Sequence, residues 1–231
     1  MPKTKFNIVL DIDQTLVHTS DKTVDLELLS NLDDELRIHL RRKLYSMNFI
    51  DVIDKEDEYD FISSNYSGMY RPYLKEFLNF CFEYFENVII WSAGKKKYVD
   101  KLCQFMFPLK NKPLLIYTYD DCIFEDDGVS KPLEKLYQDP KTKDMLNPKN
   151  TFHIDDRDDT YSENPNNGIL IPEFFCDMEL STIANHEDNN LLKLMSWFSL
   201  PEVKKSKDIR LLNKEEIFSK SVEYYIKKLE K

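Results

Sequence analysis

Glycine is scarce in this chain, 4 in 231 residues, while aromatic residues make up 13%. That combination excludes a low-complexity or disordered chain. Cysteine is equally sparse. Cys81, Cys103, Cys122 and Cys176 are widely spaced, form no Cys-x-x-Cys pair, and in three cases sit in apolar surroundings. A disulfide framework or zinc site is thereby excluded, and reduced, buried thiols are expected. No apolar run is long enough to cross a bilayer, and the N-terminus lacks the apolar core of a signal peptide. The expectation is therefore no membrane and an intracellular protein, cytoplasmic or nuclear. Basic residues are outnumbered, 32 against 42 acidic, for a formal net charge of −10. Broad, charge-driven binding to nucleic acid does not fit that balance. A phosphorylated substrate does, because a local cationic pocket with a bound cation reverses the field at one site. Internal repeats and long Pro/Gly/Ser linkers are also missing, and the length suits one α/β domain with a sizeable core.

What is present begins at Phe6. The run Phe6-Asn7-Ile8-Val9-Leu10 reads as a buried parallel strand, and it ends in Asp11-Ile12-Asp13. In extended backbone two aspartates two positions apart leave the same face. Their repulsion raises one pKa unless a cation lies between them. An oxygen-bound divalent ion, Mg²⁺ by preference, resolves the conflict. A polar loop after a strand gives the same letters, so the rest of the chain has to supply partners at similar strand ends, where open α/β sheets bind ligands.

Three further segments do so. Val88-Ile89-Ile90-Trp91 is a second buried strand, and Ser92-Ala93-Gly94 follows it. Ser92 would donate its hydroxyl to a phosphate or serve as a plain helix cap. Leu114 to Tyr119 reads as a third strand, leading through an acidic loop or hairpin at 120–128 to Lys131 at a helix start. Thr151-Phe152-His153-Ile154 is a fourth strand, ending in Asp155-Asp156. His153, inside that strand, reads as a core residue or one behind the site; His18 is uncommitted.

The stretch Asp11-Ile12-Asp13-Gln14-Thr15-Leu16-Val17-His18 resembles the first motif of haloacid-dehalogenase-type phosphatases. Its surroundings resemble the FCP/SCP-like branch, which dephosphorylates the C-terminal domain of RNA polymerase II. Arg71-Pro72 opening a helix, Ser92, Lys131, Asp155-Asp156 and the run Asn164 to Pro172 match the same branch in order, over roughly residues 5–200. Ser92 departs from the family's more usual threonine but keeps the hydroxyl.

This resemblance implies an α/β, Rossmann-like, mostly parallel sheet flanked by helices, with a helical insertion after strand 1 and no large separate cap. It implies Mg²⁺-dependent hydrolysis of a phosphate monoester through an aspartyl-phosphate. Asp11 is then the nucleophile. Asp13 is the acid and base, with its pKa raised relative to Asp11. Ser92 and Lys131 hold the phosphate. The metal takes Asp11, the Asp13 backbone carbonyl and Asp156, with Asp155 and Thr15 behind them. The favoured function is a protein serine/threonine phosphatase acting on a phosphorylated protein or peptide, without direct nucleic-acid binding. A phosphatase for a small phosphate ester or a nucleic-acid 3′-phosphate, and a phosphopeptide-binding module without turnover, stay open.

Outside the motifs, Leu29, Leu32, Leu36, Leu40, Leu44 and Met47 recur at steps of three or four, which predicts a helix over 24–47 capped by Ser30 or Asn31. An acidic loop at 51–60 and a short hairpin around Ser67-Gly68 would follow, completing an insertion over 24–60 that acts either as a lid or as a side decoration. Arg71 would hold a phosphate, orient an acid or form a structural ion pair. The contacts of Arg157 are open. One phosphatase-like domain is expected over 1–200, with 201–231 as a helical extension (Phe218, Val222, Tyr225, Leu229) that packs on that domain rather than dimerising.

Overall fold

The computed structural model describes residues 3–21, 24, 29, 31–55, 58–107, 111–126 and 128–230. Strand β1 (Asn7–Leu10) is wholly buried. The chain turns through Asp11–Leu16, with Gln14 in the left-handed region at φ 55°, into β2 (Val17–Ser20). The insertion holds helix α1 (Asp34–Lys43) and the long strands β3 (Leu44–Lys55) and β4 (Glu58–Tyr70). Then come α2 (Leu74–Tyr84), β5 (Asn87–Trp91), α3 (Lys96–Met106) and β6 (Leu115–Tyr117). A small hairpin, β7 (Ile123–Glu125) and β8 (Gly128–Ser130), precedes α4 (Glu134–Gln138). The chain continues with β9 (Thr151–Asp155), β10 (Gly168–Leu170), α5 (Leu180–Asn185), α6 (Asn190–Phe198), α7 (Pro201–Lys204) and α8 (Val222–Leu229).

Five strands form an all-parallel sheet in the order β10-β9-β1-β5-β6. Alternate residues of its strands enter two apolar layers. Ile8, Leu10, Ile90, Phe152 and Ile154 pack with Phe77 of α2 and Leu194 and Phe198 of α6. Val9, Ile89 and Trp91 face the other way, onto Leu133, Leu136 and Leu146. Both faces are covered, which is why these strands are apolar throughout. Strand order reverses at β1, between its neighbours β5 and β9. The crevice above that reversal is the place an open α/β sheet offers a ligand.

The insertion departs from the sequence reading. Helix α1 covers only part of 24–47. Its cap is Asp33, whose side chain accepts a hydrogen bond from the Leu36 N–H at 2.9 Å, rather than Ser30 or Asn31. Ser30 and most of 22–28 lie outside the described residues. The helix stops at Lys43 because the next segment alternates: Tyr45 and Met47 are buried and Phe49 is half-buried, while Ser46, Asn48 and Ile50 are exposed. A period of two belongs to a strand, and it overrides the coincidental helical spacing of Leu44 and Met47. Backbone pairing runs from Leu44↔Met69 to Lys55↔Glu58, so 51–55 and 58–60 belong to the outer half of paired strands and not to a loop, 56–57 lying outside the described residues. Ser67-Gly68 is no turn either; it lies inside β4, paired to β2 and β3. Gly68 is required there because a Cβ would overlap the Tyr45 ring.

All four cysteines are free and buried. Tyr225 of α8 is buried and donates to the Ile217 carbonyl at 2.9 Å, and Lys228 pairs with Glu202. Among the described residues no helix is long and apolar enough to cross a membrane.

Candidate active site

Parallel pairing brings the acids to one level. Leu10 lies beside Ile154 and Ile90, so Asp11 falls beside Asp155 on one side and Trp91 on the other, with Ser92 one residue beyond. The Asp11 N–H donates to the Ile154 carbonyl at 3.0 Å, which carries the pairing up to the first aspartate. Asp11, Asp155 and Asp156 each bring a carboxylate oxygen within 4.8 Å of the others. Lys131 enters from the hairpin side; it precedes α4 and is tied by its N–H to the Thr160 carbonyl at 2.7 Å. Its ammonium donates to Asp11 Oδ1 at 2.6 Å and to Asp155 Oδ2 at 2.7 Å, in an environment where all three side chains are buried.

The other residues singled out in the sequence have equally definite places. Thr15 donates to Asp156 Oδ1 at 3.2 Å. Ser92 Oγ accepts from the Gly94 N–H at 3.0 Å, and its hydroxyl also bonds toward the Asp13 carboxyl. The Asp13 carboxyl stands outside the acid trio and accepts at Oδ1 from the Tyr98 hydroxyl and, at 3.4 Å, from Thr19. Asp155, expected behind the ligands, belongs to the trio while also accepting from Lys131. His153 is buried, stacked on Trp91 and edge-on to Tyr161, with Nε2 3.6 Å from Asp155 Oδ2.

Arg71 forms a structural pair. Its guanidinium grips Asp188 with Nε at 3.1 Å and Nη2 at 2.9 Å, and donates to the carbonyls of Thr15 at 2.9 Å and Pro172 at 2.7 Å. Arg157 pairs with Asp159, which in turn accepts from the Val129 N–H and so steadies the β7–β8 hairpin. An open cleft of about 1380 Å³ lies elsewhere, between α1, the start of α2 and residues 186–193. None of the clustered acids lines it.

The electrostatics follow from burial. Desolvation pushes Asp11 well above the usual carboxylate range; the Lys131 charge opposes this, while Asp155 and Asp13 add to it. Burial also raises Asp13, against hydrogen bonds from Tyr98 and Thr19 and the charge of Lys131. Asp156 is raised by burial and by Asp155. Asp155 moves the other way: burial works against it, but Lys131 and His153 outweigh burial and hold it ionised. Lys131 stays protonated, since Asp11 and Asp155 together overcome the cost of burying its charge. Burial thus works against the ionised form of both Asp11 and Asp13, and a divalent cation beside Asp11 would favour its carboxylate. Three clustered carboxylates, Asp11, Asp155 and Asp156, against one ammonium are a donor set that suits such an ion.

Tyr98, Thr19 and Tyr45 around Asp13 were not singled out in the sequence. Tyr98 lies six residues past Ser92, in the first turns of α3, where it reads as one more apolar-face residue of that helix. A helix of unknown direction gives no signal for contact with a strand-end loop.

A mostly parallel α/β sheet with acids and a lysine gathered at its switch point places this chain among open-sheet α/β proteins, whose ligands sit at strand ends. The chain belongs to the NLI interacting factor-like phosphatase family, whose model matches residues 6–210. It is 29% identical over 193 residues to CTD small phosphatase-like protein 3 of Caenorhabditis elegans, covering 84% of this chain and 53% of that protein. To CTD small phosphatase-like protein 2 of Dictyostelium discoideum it is 26% identical over 193 residues, again 84% of this chain but 27% of the relative. The chain thus spans about half the length of the first of these relatives and about a quarter of the second. Among solved structures it resembles Fcp1, described as an essential RNA polymerase II CTD phosphatase. The TM-score is 0.54 with 19% identity over 96% of this chain and 63% of that one, a likeness of fold alone.

Proposed function

We propose that this chain hydrolyses phosphate monoesters through an aspartyl-phosphate on Asp11, and that its substrate is phosphoserine or phosphothreonine in a protein. The observation that carries the reading is Lys131, a buried ammonium bonded to both Asp11 and Asp155 beside Asp156 at the switch point. A positive charge fixed in a dry site stabilises phosphoryl oxygens as they gain charge, at no reorganisation cost during the reaction.

In the first step a carboxylate oxygen of Asp11 attacks phosphorus. The ester P–O bond breaks, and the departing alkoxide takes a proton from Asp13. In the second step Asp13, now ionised, removes a proton from water. The water oxygen attacks phosphorus, the Asp11–phosphorus bond breaks, and inorganic phosphate leaves. Ser92 donates its hydroxyl to a non-bridging oxygen. Asp11 and Asp156, with the Asp13 backbone carbonyl, would hold a divalent cation of the Mg²⁺ type, while Asp155 keeps Lys131 in place. When bound, such an ion neutralises carboxylate repulsion and withdraws charge from the phosphoryl group.

A protein substrate is supported by the names of the relatives and by the absence of a large cap over the acids among the described residues. The aromatic pair Phe49 and Tyr66, with ring centroids 5.9 Å apart on the hairpin, adds an apolar surface near the Asp13 side of the site, since both rings also contact Tyr98. The test compares 4-nitrophenyl phosphate, a phosphoserine peptide and a nucleotide with wild type and Asp11→Asn in Mg²⁺. Release from the aryl phosphate and the peptide, abolished by Asp11→Asn, is expected. Release from the nucleotide alone would move the substrate to small esters, and no release from any would leave a binding module.

A further inference from the structure

Two hydroxyl groups from different elements bond to Oδ1 of the Asp13 carboxyl, and a third stands behind them. Tyr98 of α3 donates to Oδ1, and Thr19 of β2 reaches the same oxygen at 3.4 Å. The Thr19 hydroxyl lies 2.7 Å from that of Tyr98 and 2.6 Å from that of Tyr45, the second residue of β3. Tyr45 OH is in turn 3.3 Å from the His18 carbonyl. A hydroxyl donates once and accepts twice. Three of them in a row therefore form a chain that can end with a proton directed at Oδ1.

We propose that Tyr98, backed by Thr19 and Tyr45, is a positioning residue that fixes the Asp13 carboxyl as proton donor to the leaving alkoxide, so that the inserted hairpin takes part in the chemistry. The proposal rests on the reading of Asp13 as the acid. A carboxyl group turns in a broad, roughly two-fold torsional well. Holding Oδ1 from one side removes that freedom and assigns the proton to Oδ2. As the P–O bond breaks, the proton on Oδ2 passes to the alkoxide oxygen and the Asp13 carboxylate remains, its charge shared with the hydroxyls on Oδ1.

The rings themselves are held by packing. Tyr98 lies 6.4 Å from Phe49 and 6.5 Å from Tyr66 between centroids. Tyr45 lies 5.0 Å from Tyr70 and 6.1 Å from Phe105, across the space that Gly68 leaves open. A phenylalanine at 98 or 45 therefore removes the hydroxyl and keeps the ring. The hydroxyl chain also ties β3 to the catalytic loop through side chains alone, since β3 pairs with β4 and not with β2.

The test exploits leaving groups. 4-Nitrophenolate departs as a stable anion and needs no proton, whereas phenolate from phenyl phosphate, of nearly the same shape, does. For Tyr98→Phe, kcat on phenyl phosphate falls about tenfold further than kcat on 4-nitrophenyl phosphate, the size of one lost charge-assisted hydrogen bond. Tyr45→Phe moves the ratio the same way by about threefold, as the remoter member. Thr19→Val reproduces the split without touching a ring, and replaces Tyr98→Phe should that variant fold poorly. In an Asp13→Asn background, Tyr98→Phe leaves the ratio where Asp13→Asn put it. Equal losses on both substrates, or a ratio that still moves in the Asp13→Asn background, overturn the positioning role while phosphatase activity stands. Wild type that turns over neither substrate overturns the phosphatase reading and this role with it.

Discussion

Replacing Lys131 by methionine removes the ammonium that Asp11 and Asp155 share while keeping most of the side chain's volume. The three side chains are 2%, 8% and 1% exposed, so neither carboxylate can turn to water for compensation. Breaking a buried ionic group by deleting one partner costs roughly 3–5 kcal/mol. For a chain of this size that lowers the thermal midpoint by about 10 °C. The pH dependence identifies the cause. In the wild type Asp155 is depressed, so it contributes stability above its unfolded pKa of about 3.9 and loses it as pH falls below that value. In Lys131→Met the charge that opposes burial is gone: Asp11 rises further, and Asp155, left with only His153 against burial, rises from its depressed value. A raised carboxyl costs stability at neutral pH, and the cost fades as pH falls from the folded pKa to the unfolded one. The gap between wild type and variant is therefore widest near neutrality and narrows steadily toward about pH 4. Urea unfolding followed by circular dichroism, with a chelator present throughout, measures this. A gap under about 1 kcal/mol at neutral pH, or one that stays constant on acidification, refutes the reasoning. In Mg²⁺ the same substitution lowers kcat by roughly 10²–10³.

Two other substitutions test the scaffold. Arg71→Met strands Asp188 and the carbonyls of Thr15 and Pro172, and costs roughly 3–5 kcal/mol in urea unfolding; a loss under 1 would mean that water replaces the guanidinium. Tyr225→Ala, which empties a buried site on α8, costs about 3 kcal/mol in a single cooperative transition, as expected if residues 201–231 are one unit with the sheet. A separate early transition for the tail would show instead that it folds on its own account.

The parallel sheet was legible because its strands are buried on both faces. Runs such as Ile8-Val9-Leu10 and Val88-Ile89-Ile90-Trp91 are apolar without alternation, and each ends in residues with chemistry at the strand's carboxyl end. Position did the rest, since a sheet whose order reverses at β1 has to gather those ends above the reversal. The insertion was misread for the opposite reason. Over 34–50 it is buried on one side only, and α1 and β3 share the leucines and methionine that fit both periods. Tyr45 and Phe49, which would have tipped 44–50 toward a strand, fall between the positions a helix reading picks out.

That error bears on the site as well as on the fold. Read as a helix, 44–47 places Tyr45 on a solvated face, with no reason to approach Asp13. Read as the first pleats of β3, it turns Tyr45, Met47 and Phe49 inward together, and Gly68 of the paired strand leaves the gap through which the Tyr45 hydroxyl reaches Thr19. The acids and the lysine need only the parallel sheet to meet. Their neighbours around Asp13 need the register of an antiparallel hairpin inserted between the first strand and Arg71, and no spacing within the motifs carries that register. A residue that acts through a long-range pairing stays silent in the sequence until the pairing is known, and Tyr45 is the case in point.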